Sequence, residues 1–102
     1  MVSLDALRDV IAQRLLYYTT HAQEQMAARR ILDVEIREII LGQNAEIIEQ
    51  YPEDKYSPSC LIYGITTSNR VLHVQANEQG LIITVYAPDR KKWYANMKTR
   101  RR

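Results

Sequence analysis

Two histidines are all this chain has, and each falls inside a patterned segment: His21 in Thr20-His21-Ala22-Gln23-Glu24-Gln25-Met26-Ala27-Ala28-Arg29, and His73 in Leu72-His73-Val74. Imidazole is the side chain whose ordinary pKa lies near neutrality, so two of them brought together by folding could pass protons on and off a substrate. His21 stands where a helix begins, and the free N–H groups and dipole of a helix start favour anions. Gln25 and Arg29 follow at i+4 and i+8 on nearly the same helix face, so one phosphate could meet all three. The competing reading keeps His21 as a capping or packing residue and Arg29 as a surface charge.

His73 sits in an alternating stretch. With Leu72 and Val74 pointing into a core, His73 points the other way, and with Ile83 and Val85 inward, Thr84 and Tyr86 point outward. Turns centred on Ser68 and on Asn77-Glu78 set His73 opposite Tyr63 and opposite residue 83 or 84, which gathers His73, Tyr63, Thr84 and Tyr86 on one face. The alternative is a set of ordinary cross-strand packing partners.

Other chemistries fit less well. Two histidines with Glu53 or Asp54 lack any short ligand spacing of the His-x-x-x-His kind, so no metal site is expected. Cys60, in Cys60-Leu61-Ile62, reads as a small hydrophobe rather than a nucleophile, and as the only cysteine it excludes an internal disulfide and a multi-cysteine zinc cage. The three glycines, at 42, 64 and 80, are scattered and form no phosphate loop.

Charge is divided unevenly along the chain. Residues 1–88 carry seven basic and eleven acidic side chains, whereas residues 89–102 carry seven basic ones, Arg90, Lys91, Lys92, Lys98, Arg100, Arg101 and Arg102, against Asp89 alone. Such a basic segment suits RNA or another polyanion, or else is a solvated tail that aids solubility. Trp93 and Tyr94 lie among these cations, a pattern that serves base stacking. The plainer role for Trp93 is closing the core on a terminal helical turn that starts at Pro88-Asp89.

The elements that must position these residues follow from periodicity. Leu4, Leu7, Ile11 and Leu15 behind Ser3 predict an amphipathic helix over residues 4–14, with Asp5, Arg8, Asp9 and Arg14 on its polar face. Leu16-Tyr17-Tyr18-Thr19 predicts a short strand. Thr20 and Gln23 form a capping-box pattern that starts a helix at His21, ending near Arg30. Asp33 then caps a third helix with Ile36, Ile39 and Ile40 as its stripe, stopped by Gly42. Strands follow at 45–51, 60–66, 71–75 and 81–86, with Thr67-Ser68-Asn69 and Asn77 to Gly80 as turns and a polar loop between Pro52 and Pro58. The expectation is a single α+β domain over residues 1–102, its N-terminal helices packed on one face of a roughly four-stranded antiparallel sheet and the other face left free. With 46% apolar and 25% charged residues it reads as an ordinary globular chain. No apolar run approaches a membrane span, and Asp5 and Asp9 argue against a secretory leader, so the cytoplasm is the expected compartment.

His21-Ala22, Met26 with Arg29-Arg30-Ile31, the run Glu49 to Lys55, Ser59-Cys60-Leu61, Leu72-His73-Val74, Thr84-Val85-Tyr86 and Trp93 with its basic end together resemble the domain-of-unknown-function family 4258, from about Tyr18 onward. That family looks like a branch of the RelE/ParE-like toxins, small α+β proteins encoded beside an antitoxin, here often one similar to zinc-finger, helix-turn-helix proteins. Many relatives cleave RNA, frequently on the ribosome, and the ParE branch inhibits gyrase. The family pattern commonly has an arginine where this chain has Gln25, so this chain offers no cation at that position.

The resemblance implies the toxin class and leaves the mechanism open; the leading expectation is a toxin-like endoribonuclease, with no cofactor or metal expected. Such cleavage needs a base for the ribose 2′-hydroxyl, cations for the charge added to phosphorus, and an acid for the leaving 5′ oxygen. His21 and His73 are the expected base and acid, in either order, with Arg29 and Lys55 stabilising the phosphorane and Tyr86 orienting the phosphate or donating a proton. Arg90, Lys91, Lys92, Lys98 and Arg100 are expected to hold the RNA backbone. Two readings compete with this one: a non-catalytic toxin that docks on a protein target, and an RNA-binding protein without cleavage.

Overall fold

In the computed structural model, residues 1–13 and 16–101 are described, so the expectations for Arg14, Leu15 and Arg102 fall outside the described residues. Helix α1 (Leu4–Ala12) opens at Ser3, whose hydroxyl accepts from the Ala6 N–H at 3.3 Å, and it buries Leu7 and Ile11. Strand β1 (Tyr17–Tyr18) leads into helix α2 (Thr20–Arg29), and helix α3 (Asp33–Leu41) follows after a left-handed Arg30. Four strands complete the chain: β2 (Glu46–Tyr51), β3 (Ser59–Ile65), β4 (Val71–Asn77) and β5 (Leu81–Tyr86).

Among the described residues the architecture is α+β, three helices and one five-stranded mixed sheet in the order β1-β5-β4-β3-β2. The four long strands pair antiparallel, as alternation predicts. The fifth, β1, runs parallel to β5, with Tyr17 beside Leu81 and Tyr18 beside Ile82. A two-residue strand carries too little periodicity to reveal its partner, so the expected all-antiparallel sheet gives way to a mixed one.

Two helix starts are displaced by one residue. Thr19, not Thr20, caps α2, accepting from Ala22 N–H at 3.0 Å. Leu32 precedes the first turn of α3, its N–H held by the Glu35 carboxylate at 2.9 Å, while Asp33 lies within that turn and pairs with Arg37. Gly42 ends α3 without a left-handed conformation, its φ being −75°. A Cβ there would stand 2.6 Å from the Glu38 carbonyl oxygen, so space is what requires glycine. The freed carbonyls of Ile40 and Gly42 accept from Arg8 of α1 at 2.8 and 2.6 Å, which ties the two helices together.

One sheet face is aliphatic. Leu7, Ile11, Ile36, Ile39 and Ile40 from the helices meet Cys60, Ile62, Leu72, Val74, Ala76, Ile82 and Val85 from the strands. Gly64 allows the close approach of α3, since a Cβ there would lie 2.7 Å from Ile39 Cγ2.

The register differs from the predicted one at β4 and β5. Tyr63 does face His73, but the residue on the other side is Tyr86. A later turn and a bulge together make the difference: the turn closes from Asn77 to Gly80, and Gln75 pairs with Thr84 but Ala76 with Ile82, so Ile83 is one extra residue and Ile82 takes the core position expected of Ile83. The bulge also anchors α2, because Thr19 donates its N–H to the Ile82 carbonyl at 3.0 Å and its hydroxyl to the Ile83 carbonyl at 2.7 Å.

The second face is not free. Residues 88–101 fold back over it as a strap that starts with one helical turn, in which Trp93 N–H meets the Asp89 carbonyl at 3.0 Å. Trp93 is 1% exposed and bridges to Arg100 across the strap. Its expected closing role holds, but what it closes is the far face of the sheet.

Candidate functional site

A pocket of about 360 Å³ opens where α2, the end of β5 and the strap meet. The segment that begins at the Thr19 cap brings His21, Gln25 and Arg29 to one wall, β5 supplies Thr84 and Tyr86, and the strap supplies Lys92 and Arg100. His21 and Arg29 are exposed, and Arg29 Nε donates to Gln25 Oε1 at 2.7 Å, so the i+4 spacing works as expected. Arg70 steadies the far end of this helix by donating to the carbonyls of Arg29 and Arg30 at 2.7 and 3.1 Å.

His73 is not on the pocket wall. It is fully buried behind Tyr86, edge-on to the Trp93 ring at 4.4 Å between centroids and to the Tyr86 ring at 5.3 Å. Nε2 lies 2.6 Å from the Met97 carbonyl, which can only accept, so Nε2 carries the proton. Nδ1 is then an acceptor, and the Tyr86 hydroxyl 3.2 Å away donates to it. Burial holds the His73 pKa below the usual histidine range, against the opposing pull of the Met97 carbonyl and the Glu49 carboxylate. Burial likewise pushes the Tyr86 phenol up to about 12. Tyr86 keeps its proton and directs it at His73, leaving oxygen lone pairs for any ligand.

The basic segment divides in two. Lys98 pairs with Glu46 at 3.6 Å and lies over the Tyr63 ring, and Arg101 lies over Tyr94 and donates to the carbonyls of Arg90 and Trp93. Arg100 stacks on Trp93 at 4.5 Å and makes a two-pronged contact with Glu49 at 2.9 and 3.2 Å. That guanidinium pulls the Glu49 pKa down, against burial, with help from Tyr51, whose hydroxyl also bonds Glu49. Arg90, Lys91 and Lys92 remain exposed, and of these Lys92 lines the pocket.

Lys55 lies elsewhere, in the loop after β2 with its ammonium 5.1 Å from the Tyr56 ring. Of the residues read from sequence, His21, Arg29, Tyr86, Lys92 and Arg100 therefore come together, while His73 stands behind them and Lys55, Arg90, Lys91 and Lys98 stand apart. Tyr51 and Gln75 line the pocket without having been anticipated. The spacing Glu49-x-Tyr51 put both on one strand face, but only the fold brings Arg100 to them.

Among the described residues no group of three or more His, Cys, Asp or Glu side chains could hold a metal, and no helix is long and apolar enough to cross a membrane. Over residues 18–87 the sequence matches the family described as a domain of unknown function, DUF4258. The chain belongs to the DUF4258 family. The match runs from β1 to just past β5, so the DUF4258 region supplies the helix wall and sheet floor of the pocket, and Lys92, Trp93 and Arg100 lie beyond it. No curated protein and no solved structure matches the chain.

Proposed function

We propose that this DUF4258 chain is a RelE/ParE-like toxin of a toxin–antitoxin pair, acting as an endoribonuclease at the pocket between α2 and the strap. One observation carries the reading: His21, Arg29 and Tyr86, expected to act on RNA, share a pocket with Lys92 and Arg100, expected to hold it. Cations beside an exposed imidazole suit a phosphodiester, whose charge grows as the 2′ oxygen attacks.

In this scheme His21 takes the 2′-hydroxyl proton and the 2′ oxygen attacks phosphorus. Arg29 and Lys92 neutralise the added charge, and the 5′ oxygen leaves with a proton from the Lys92 ammonium or from water. The products are a 2′,3′-cyclic phosphate and a free 5′-hydroxyl. Tyr86 accepts from the bound ribose or its neighbour, and His73 acts only by fixing the Tyr86 hydroxyl. Lys55 has no part in it.

The test is incubation of the purified chain with single-stranded RNA and with translating ribosomes. Cleavage should fall about 10²- to 10⁴-fold in His21→Ala. Expression in bacteria should arrest growth, and a cognate antitoxin, expected to be of the zinc-finger or helix-turn-helix type, should restore it. A second reading, a non-catalytic toxin acting on a protein target, is favoured by one fact: sealing His73 leaves His21 as the pocket's sole imidazole, where two-step proton transfer uses a base and an acid. Growth arrest that survives His21→Ala, with RNA left intact, would select it.

A further inference from the structure

The pocket has two chemically distinct halves. Exposed His21, Arg29 and Lys92 line it on the solvent side, whereas the sheet surface contributes Leu61, Gln75 and Thr84, with Trp93 beside them. A site for phosphate alone needs only the solvent side, the mouth, and not the sheet surface that forms the floor.

The floor presents polar atoms in a fixed sense. Gln75 Nε2 donates to the Asp54 carboxylate at 2.7 Å and to Ser59 Oγ at 3.1 Å. Asp54 is held ionised by what it accepts: although burial pushes its pKa up, the Tyr56 N–H, Ser59 and Gln75 together pull it below the ordinary value. The amide of Gln75 therefore cannot turn over, and its Oε1 is left as a preset acceptor. At the rim the sense is opposite, because Gln25 Oε1 is taken by Arg29, which leaves the Gln25 amide as a donor. A volume of about 360 Å³ lies at the low end of ligand pockets, roughly 300–1,000 Å³, and suits one nucleotide rather than two.

We infer that the pocket is a mononucleotide subsite: the mouth takes a nucleotide's phosphate, and one unstacked base enters far enough for an N–H on its edge to reach Gln75 Oε1, with Thr84 as a second polar contact. This rests on the pocket being an RNA site, and deepens that reading by adding base recognition to phosphate contact. Unstacked bases in single strands are the form in which RNA sequence is commonly read.

Titration of the intact protein with inorganic phosphate, ribose 5-phosphate and the four nucleoside 3′-monophosphates, followed by calorimetry or amide chemical shifts, tests it. At least one monophosphate should bind about tenfold more tightly than phosphate and ribose phosphate, as one base contact supplies. Gln75→Ala should remove that advantage and leave phosphate binding unchanged, whereas Arg29→Ala should weaken every ligand. Because Gln75 also braces Asp54, Thr84→Val serves as the second variant and should reduce the advantage without lowering the melting temperature. Equal binding of all ligands, or an advantage untouched by both floor variants, overturns the subsite. These ligands contain no scissile bond, so a chain that cleaves no RNA can still pass, and one that cleaves RNA can still fail.

Discussion

The two faces of the sheet are held by different physics. Toward the helices, aliphatic side chains interlock around Gly64 and Ile39, and area removed from water does the holding. Toward the strap, the contacts are directional: a histidine bonded at both ring nitrogens, an aromatic cluster around it, and the Arg100–Glu49 pair above. The pocket lies on the strap side, roofed in part by α2, which hangs from the β5 bulge through Thr19. Aliphatic packing on the helix side fixes the sheet that forms the floor, and the polar strap supplies part of the wall. That difference predicts that the strap side can fail while the helix side stays folded.

The largest test is Trp93→Ala. It removes the buried indole that seals the strap, and should cost about 3–5 kcal/mol, read as thermal melting by circular dichroism. Ile36→Ala on the helix face should cost about 2–5 kcal/mol, a comparable amount. The two should part in binding: below their melting points, Trp93→Ala should lose nucleotide affinity and Ile36→Ala should keep it. A loss of less than about 1 kcal/mol in Trp93→Ala would mean that the strap is not part of the folded unit.

That contrast also explains what was legible in the sequence. Periodicity reports which residues alternate and where apolar stripes fall, so the helix face, with Ile36, Ile39 and Ile40 against β3 and β4, could be read directly. The i+4 and i+8 spacing from His21 likewise placed one wall of the site, because helix geometry is local. The strap carries no period. Its position depends on Met97 adopting φ of 58° and offering its carbonyl to His73, and on Arg100 reaching Glu49 across fifty-one residues. The bulge at Ile83 is equally silent in the sequence, yet together with the turn from Asn77 to Gly80 it sets Tyr86 rather than residue 83 or 84 beside His73.

His73→Leu comes next in size. It leaves the Met97 carbonyl without its donor and the Tyr86 hydroxyl without its acceptor, which should cost about 1–3 kcal/mol, or about 4–8 °C of melting temperature per kcal/mol. A shift under about 1 °C would show that neither bond matters to the strap.

The same histidine should make the strap side sensitive to acid. Its folded pKa is depressed by burial, so as pH falls the unfolded chain binds a proton, near about 6.5, that the folded chain resists. Unfolding is thereby favoured, and stability should fall as pH drops below about 6.5 and be fully present above it. Arg100, whose charge also disfavours His73 protonation, and Glu49, which favours it, are the charges acting on the ring. In His73→Leu the melting temperature should lose this slope between about pH 6.5 and 5. An unchanged slope would place the sensitivity elsewhere.

The smallest test asks whose residue Arg100 is. Its ion pair with Glu49 is partly solvated, with side-chain exposures of 40% and 22%, so Glu49→Gln should lower stability by only about 0.2–1 kcal/mol. For a ligand the consequence runs the other way. Glu49 offsets the charge of Arg100 in the native protein, and removing it gives the pocket one more uncompensated cation. Each phosphate charge neutralised on a single strand contributes about −0.7 to the slope of log affinity against log salt. If Arg100 faces the ligand as well as the strap, Glu49→Gln should tighten RNA binding at low salt and steepen that slope by up to about 0.7. If stability falls and the slope does not move, Arg100 serves the strap alone, and the cations that meet RNA are Arg29 and Lys92.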